Sequence, residues 1–410
     1  MLDAKLCVQP KPFGVLIFGT NREAVLAASI FRLGLGAENL MKKFFLALLV
    51  ACCLTPVWVQ AAAIKVGLMC PLTGKWASEG QDMKNIVSLL VQEANEKGIN
   101  GDKVELIVED DGGDPRTAAL AAQKLASAEV VAVIGTYGSA VTEASQNILD
   151  EAEIVQIATG STSVRLTEKH MAYFFRTCPR DDAQGAAAAQ AIIKGKFKRI
   201  ALLHDNSSYA KGLAEETKAA LAKSNVQVIF YDALTPGERD YNAILTKLKS
   251  ANPDLIFFTG YYPETGMLLR QKKEMGWDVP MMGGDAANHL DLVKIAGNAA
   301  AHGYFFLSPP LPQDLDSKAA KDFLKAYHDK YQSVPVSVWA VLAGDAFKAL
   351  EGAFKAKALE PKAIAKYLHH LQGLQGFSGE IGFDAKGDRV GKFYRIYKVD
   401  QNGHFVLQPE

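Results

Sequence analysis

Beyond residue 61 the sequence holds no apolar run of the roughly 20 residues needed to span a bilayer, so the chain from there on is expected to be soluble. Cysteine is scarce: five in 410 residues, at 7, 52, 53, 70 and 178. They do not cluster with histidine in metal-ligand spacing, nor do they form a dense disulfide framework. His369 and His370 are adjacent, point to different faces of a helix and make a poor metal pair. Neither sign of charge is in excess, Lys+Arg and Asp+Glu both numbering 45, so there is no electrostatic case for binding nucleic acid. The phosphate-loop and dinucleotide-loop glycine spacings are missing, and so is the GxSxG elbow. Asp110-Asp111-Gly112-Gly113-Asp114-Pro115 is acidic but lacks calcium-loop spacing and a distal glutamate. It reads as a strand-to-helix turn with Asp114 as the helix cap. No nucleophile stands with a base. Neither an enzyme nor a cofactor or metal is expected.

What is present begins with an export signal. Met41–Ala61, MKKFFLALLVACCLTPVWVQA, has two lysines, an apolar core and a small-residue end, the pattern of a cleaved secretory signal peptide. Residues 1–40 lie upstream of it, where no export signal would be placed, and read as an over-extended gene start at which Met41 is the true beginning. An N-terminal membrane anchor is the other reading, although Thr55-Pro56 interrupts the run. Leu49-Val50-Ala51-Cys52 matches a lipoprotein box, but cutting there leaves a short signal. Losing residues 1–61 removes six basic and three acidic side chains and leaves Cys70 and Cys178, which an oxidising compartment would allow to pair. A periplasmic, mildly acidic protein is expected.

From residue 63 onward short apolar strands alternate with amphipathic helical stretches. Strands are expected at 64–69, 104–109, 130–134, 154–157 and 174–178, and the pattern restarts at 199–204, 226–231, 255–259, 280–282 and 304–307. Such alternation predicts α/β architecture with parallel sheets covered by helices on both faces. Two rounds predict two doubly wound lobes. Helical patterns at 317–331, 338–355 and 361–370 then precede strand-like segments near 381–383 and 393–399, with turn signals at Asp384–Asp388 and Asp400–Gly403. The late helices are expected to complete the first lobe and the last strands the second. That gives a first lobe of 62–180 plus 310–390 and a second of 181–309 plus 391–410. The three crossings, near 179–182, 308–313 and 390–392, form a hinge.

The candidate site residues follow the carboxyl ends of strands, where ligands sit in open α/β sheets. Ser139 opens a helical pattern after 130–134, and a helix start with free N–H groups favours anions. Serine is also a favoured N-cap, and the two roles are compatible. Gly160 and Thr162 follow the neighbouring strand, and together these turns suit a carboxylate. Trp76 and Glu79 follow the first strand; Trp76 is a pocket wall or an aromatic packed under a loop. In the second round Tyr209, Tyr261 and Asp285 occupy the corresponding places. Tyrosines present a flat apolar face and a polar tip. Asp285 suits a ligand ammonium or caps the following helix. A zwitterionic amino acid carries both charges.

At these residues the chain resembles the periplasmic leucine/isoleucine/valine-binding proteins, the type I solute receptors of ABC importers. The likeness runs through 63–410 and includes Val104–Pro115, Val133–Ser145, Gln184-Gly185, His204–Leu213, Thr235–Asp240, Gly260–Gly266 with Leu269-Arg270-Gln271, and Phe383–Gly387. The resemblance implies the type I periplasmic binding fold and a ligand head group held by Ser139, Gly160 and Thr162. It implies Tyr209 and Tyr261 closing over the ligand, with Asp285 facing the ammonium where the family usually has glutamate. Three departures stand out. Trp76 and Glu79 fill the loop that usually supplies an aromatic contact, with the aromatic shifted by three positions. Gly113 and Gly138 stand where some relatives carry a disulfide pair. Gly160–Arg165 replaces a more apolar, proline-containing turn, leaving Arg165 on the surface or within reach of an acidic ligand side chain. An amino-acid ligand is therefore expected, branched-chain or related, with a membrane permease as partner and the receptor acting as a monomer. A ligand-sensing regulatory module of the same fold, for amino acids or small amides, is the alternative.

Overall fold

A computed structural model describes residues 63–409, so the signal-peptide and gene-start readings lie outside the described residues. Two main sheets organise the chain. The first has the order β2-β1-β3-β4-β5, all parallel, built from Ile64–Cys70 (β1), Val104–Asp110 (β2), Ala132–Ile134 (β3), Val155–Ala158 (β4) and Phe174–Arg176 (β5). The crossover from β1 to β2 runs one way along the sheet and those from β2 to β3 and β3 to β4 run the other way, so the helix after β1 lies on one face and the next two share the opposite face. Helices Pro115–Ser127 and Ser139–Glu151 pack together, and helix Ala77–Lys97 packs with Val338–Lys355. Central strands between two helical layers should be apolar throughout, and β3 and β4 are buried at every position.

The second sheet repeats the plan. Arg199–His204 (β6), Gln227–Ala233 (β7), Leu255–Phe258 (β8), Met281–Gly283 (β9) and Phe305–Ser308 (β10) are parallel in the order β10-β9-β8-β6-β7. The chain then returns: Arg395–Val399 (β13) pairs antiparallel with β10, and Phe405–Leu407 (β14) pairs antiparallel with β13. The intervening turn is held by the Asp400 carboxylate, which accepts from the N–H groups of Asn402 and His404. Between these passages, helix Val338–Lys355 reaches β3 and β4, and helix Pro361–His369 lies against β4.

Several boundaries move for local reasons. The fourth strand starts at Val155 because the Ile154 N–H bonds back to Leu149 O at 2.8 Å, finishing the preceding helix through a left-handed Glu153. Of the segment near 381–383, only Glu380–Ile381 (β12) is strand, paired with Leu374–Gln375 (β11) in a small sheet of its own. Cys70 and Cys178 are both buried free thiols, so the pairing that the compartment would allow is not made. Asp114 caps its helix as expected, accepting from the N–H groups of Arg116 and Thr117. No helix among the described residues is long and apolar enough to cross a membrane.

Candidate functional site

In both sheets the strand order reverses at one place, beside β1 and β3 in the first and beside β6 and β8 in the second. Loops diverge there and leave a crevice at the strands' carboxyl ends. Trp76 and Ser139 follow β1 and β3, Tyr209 and Tyr261 follow β6 and β8, and Gly160 and Asp285 follow the next strands out.

On the first sheet, Ser139 is the first helical residue, and Gly138 occupies the cap position with extended backbone. The cap role expected for Ser139 is therefore not the one it plays. Its hydroxyl oxygen accepts from the Ser163 N–H at 3.2 Å, which ties the helix start to the turn after β4. Arg176, fully buried, donates from Nη1 to the Ser161 and Ser163 carbonyls at 3.0 and 2.8 Å and bonds Asp388 through Nε at 2.5 Å. The turn 160–163 thus rests on an arginine whose charge is already matched. Gly160 is required by a close approach, since a Cβ there would lie 2.6 Å from Tyr137 Cδ2 and 2.9 Å from its carbonyl oxygen. The Thr162 hydroxyl is buried without a hydrogen-bond partner among the described residues.

The loop after β1 is set by Asp110, whose carboxylate accepts from Leu72 N at 2.8 Å and from the Thr73 hydroxyl at 2.6 Å. Trp76 then lies 4.4 Å from the Tyr261 ring and 5.3 Å from Tyr137. The shift of the aromatic by three positions is accommodated by two glycines. A Cβ on Gly113 would stand 2.6 Å from Trp76 Cε3, and one on Gly138 would stand 3.0 Å from Cζ3. The indole occupies the space that side chains at those positions would fill. Trp76 is therefore a wall shared by both sheets rather than packing beneath one loop.

Glu79 is turned the other way. Fully buried, it accepts from the Ser337 hydroxyl at 2.5 Å, at the start of helix Val338–Lys355. Burial pushes its carboxyl up to about 8, against the pull of the Ser337 bond. It stands behind Tyr137, whose own titration it raises more than any other charge does.

On the second sheet the Asp285 carboxylate is fixed at both oxygens. Tyr209 donates to Oδ1 at 2.9 Å and Tyr394 to Oδ2 at 3.0 Å, while the Asp285 N–H bonds Gln184 Oε1 at 3.0 Å. Its side chain caps no helix; the residue opens a short turn, Asp285–Ala287. Burial pushes its carboxyl up to about 6, and the bonds from Gln184, Tyr209 and Tyr394 hold it from going higher. Tyr209 and Tyr261 lie 5.2 Å apart, ring to ring. Arg165 stays at the rim, more than half exposed, 3.8 Å from Glu143 and bonding Ser208 at 3.2 Å.

Direct bonds join the loops of the two sheets. The Tyr262 hydroxyl donates to Lys75 O at 3.0 Å, and the Ser78 hydroxyl lies 3.2 Å from both His289 Nε2 and Asp291 Oδ2. Five of the expected residues, Trp76, Ser139, Tyr209, Tyr261 and Asp285, are at most 5% exposed, and Thr162 is fully buried. Sequence reasoning did not single out Tyr137, Asp181, Gln184 or Tyr394 as site residues. Gln184 lay within a quoted stretch of likeness, and Tyr137 sits two residues before Ser139, so position was the available signal for both. Tyr394 lies just before β13, and only the fold brings it here.

The arrangement offers hydroxyls and a helix start on one side, a buried carboxylate on the other, and aromatic walls between them. No cluster of three metal-ligating side chains occurs among the described residues. The periplasmic binding protein family model matches residues 63–404. The chain is 32% identical over 341 residues to the Leu/Ile/Val-binding protein BraC3 of Rhizobium johnstonii, a match covering 82% of this chain and 92% of that one. It is 31% identical over 344 residues to the leucine-, isoleucine-, valine-, threonine- and alanine-binding protein of Pseudomonas aeruginosa, covering 83% and 91%. Among solved structures it resembles the branched-chain amino acid transporter substrate binding protein of Streptococcus pneumoniae in complex with isoleucine. That match has a TM-score of 0.78 and 29% identity, over 85% of this chain and 100% of the other. With its twin-sheet architecture and its crevice at the strand ends, the chain belongs to the periplasmic binding proteins, in the Leu/Ile/Val-binding group.

Proposed function

We propose that this protein is an extracytoplasmic receptor that takes up an amino acid, branched-chain or related, between its two lobes and delivers it to the permease of an ABC importer. The observation that carries this reading is the pairing of opposite chemistries across one crevice. The Ser139 helix start and the unpartnered Thr162 hydroxyl stand at strand ends of the first sheet, and the buried Asp285 carboxylate, which two tyrosines hold in place, stands at a strand end of the second. A ligand carboxylate docks on Ser139, Gly160 and Thr162, and its ammonium meets Asp285. Tyr209, Tyr261 and Trp76 enclose the side chain, and Glu79 acts from behind Tyr137. The named specificities of the relatives support an amino acid over other small acids.

In this reading the lobes are 62–180 with 310–390 and 181–309 with 391–410, and the three crossings act as the hinge. The ligand favours closure because it contacts both lobes only when they are closed. Export through the 41–61 signal and action as a monomer belong to the same proposal. A thermal-shift screen against the L-amino acids and small amides tests it, since a ligand that binds only the native state raises the melting temperature. A clear shift with a branched-chain or related amino acid is expected, and no shift with any amino acid would overturn the proposal.

A further inference from the structure

The loops of the two sheets also meet around a buried histidine. His289 follows the turn Asp285–Ala287 and is 1% exposed. Its ring lies flat on that of Tyr262, with centroids 4.0 Å apart and planes 9° from parallel. The bonds around the imidazole fix its protonation. Nδ1 accepts from the Asp291 N–H at 3.1 Å, so in the neutral ring the proton is on Nε2. Nε2 then donates to the Ser78 hydroxyl oxygen at 3.2 Å, and that hydroxyl donates to Asp291 Oδ2 at 3.2 Å. Lys294 bonds the other oxygen of Asp291 at 2.6 Å. Ser78 is on helix Ala77–Lys97, which follows β1, whereas Tyr262, His289 and Asp291 follow β8 and β9. The circuit from Asp291 through His289 and Ser78 back to Asp291 thus joins the two sheets' loops. It is complete only while His289 is neutral. A proton on Nδ1 would set an N–H against the Asp291 N–H, and the Asp291 carboxylate, 3.7 Å from Nδ1, stands too far away to accept it.

We infer that Ser78, His289 and Asp291 form a proton-sensitive latch between the lobes: neutral His289 holds the closed form, and a proton on its Nδ1 releases it. The inference rests on the closure proposed above and adds to it a control separate from Ser139, Thr162 and Asp285. Electrostatics act in the same direction. Burial pushes the imidazole below its ordinary range; Asp291 pulls it up, and Lys294 pushes it further down. Helix Tyr262–Glu274 brings the Tyr262 ring against it and helix Ala77–Lys97 brings Ser78, while Glu79, next to Ser78, turns to Ser337. When the lobes part, Ser78 leaves and water reaches the ring, which returns toward the ordinary histidine value of about 6.5. The open form then binds the proton that the closed form excludes, so closure weakens as pH falls through that value. The Tyr262 hydroxyl, bonded to Lys75 O at 3.0 Å, ties the same loops without titrating in this range. Acid therefore loosens the closed form and does not abolish it.

The test compares the wild-type protein with His289→Gln and Ser78→Ala, using whichever of the twenty L-amino acids binds the wild type most tightly. Calorimetry gives the affinities between about pH 7.5 and 5.5, and stopped-flow gives the rate constants. Glutamine offers an amide N–H to Ser78 and does not titrate. With an ordinary histidine in the open form, the latch accounts for up to about tenfold of the affinity lost over that range. Wild-type affinity is expected to fall at least about threefold further than that of His289→Gln, because the fall caused by Asp285 and other buried carboxylates is common to both. A difference smaller than this overturns the inference. Ser78→Ala is expected to raise the dissociation rate constant at pH 7.5 about fivefold and to leave the association rate constant within about twofold, since its bond exists only in the closed form. An unchanged dissociation rate constant also overturns the inference, and this measurement decides the matter if His289→Gln does not fold. A wild-type protein that binds none of the twenty overturns the amino-acid reading itself, and the inference falls with it.

Discussion

The two sides of the crevice are built on opposite principles. The first-lobe side has no titratable group at the proposed docking face: Ser139, Gly160 and Thr162 present hydroxyls and backbone, braced from behind by Arg176. The facing side is acidic, with Asp285 held by Tyr209 and Tyr394, and Asp181 beside it on the crossing. A surface of fixed dipoles is ready before a ligand arrives and loses little when one leaves. Buried carboxylates are the reverse, since their cost is met only by a cation or a proton. Docking on the first lobe followed by closure of the second is the order that this asymmetry favours. On the proposed reading, the acidic side is what would make closure depend on the ligand.

That contrast is open to direct attack. The largest effect is expected from Asp285→Ala. Removing one partner of a buried charge pair costs on the order of 3–5 kcal/mol, so amino-acid affinity should fall at least about a hundredfold in calorimetry. Near-normal binding would remove the ammonium role. Ser139→Ala should cost about 1 kcal/mol, roughly fivefold in affinity, because the backbone N–H groups of the helix start remain. A loss as large as that of Asp285→Ala would erase the difference between the two sides.

A smaller effect concerns stability. The Glu79 carboxyl stands near 8 in the folded chain and near 4.5 in model peptides, so the folded state holds the extra proton between those values. Its contribution is fully present below the lower value and is lost as pH rises through the upper one, by up to about 1.4 kcal/mol per pH unit. Glu79→Gln should therefore flatten the fall of melting temperature between about pH 5 and 8 without abolishing it, since other buried acids act in the same direction. An unchanged slope would show that Glu79 does not hold that proton.

Much of this was legible in the sequence. Period and alternation gave the strands of both sheets, and the residues just past their ends gave Ser139, Tyr209, Tyr261 and Asp285. Direction was harder to read. Trp76 and Glu79 lie three apart in one loop and helix start, yet the indole faces Tyr261 while the carboxyl faces Ser337. What separates them is the room left by Gly113 and Gly138, a tertiary fact. Asp181 was hidden because an aspartate in a first helical turn looks like routine charge–dipole complementarity. Its burial appears only when the crossing, helix Ser208–Leu221 and the Thr162 turn meet. Tyr394, just before β13, depends on the return of the chain to the second sheet in the same way.

The claim that two unlike sides hold the two ends of one zwitterion is tested most directly by calorimetry with an amino acid and its two half-analogues, the 2-hydroxy acid and the decarboxylated amine. On this account Asp285→Ala weakens the amino acid and the amine but leaves the hydroxy acid nearly unchanged, and Ser139→Ala weakens the amino acid and the hydroxy acid but not the amine. If each substitution lowers the affinity of all three ligands by the same factor, the division of labour proposed for the crevice is wrong.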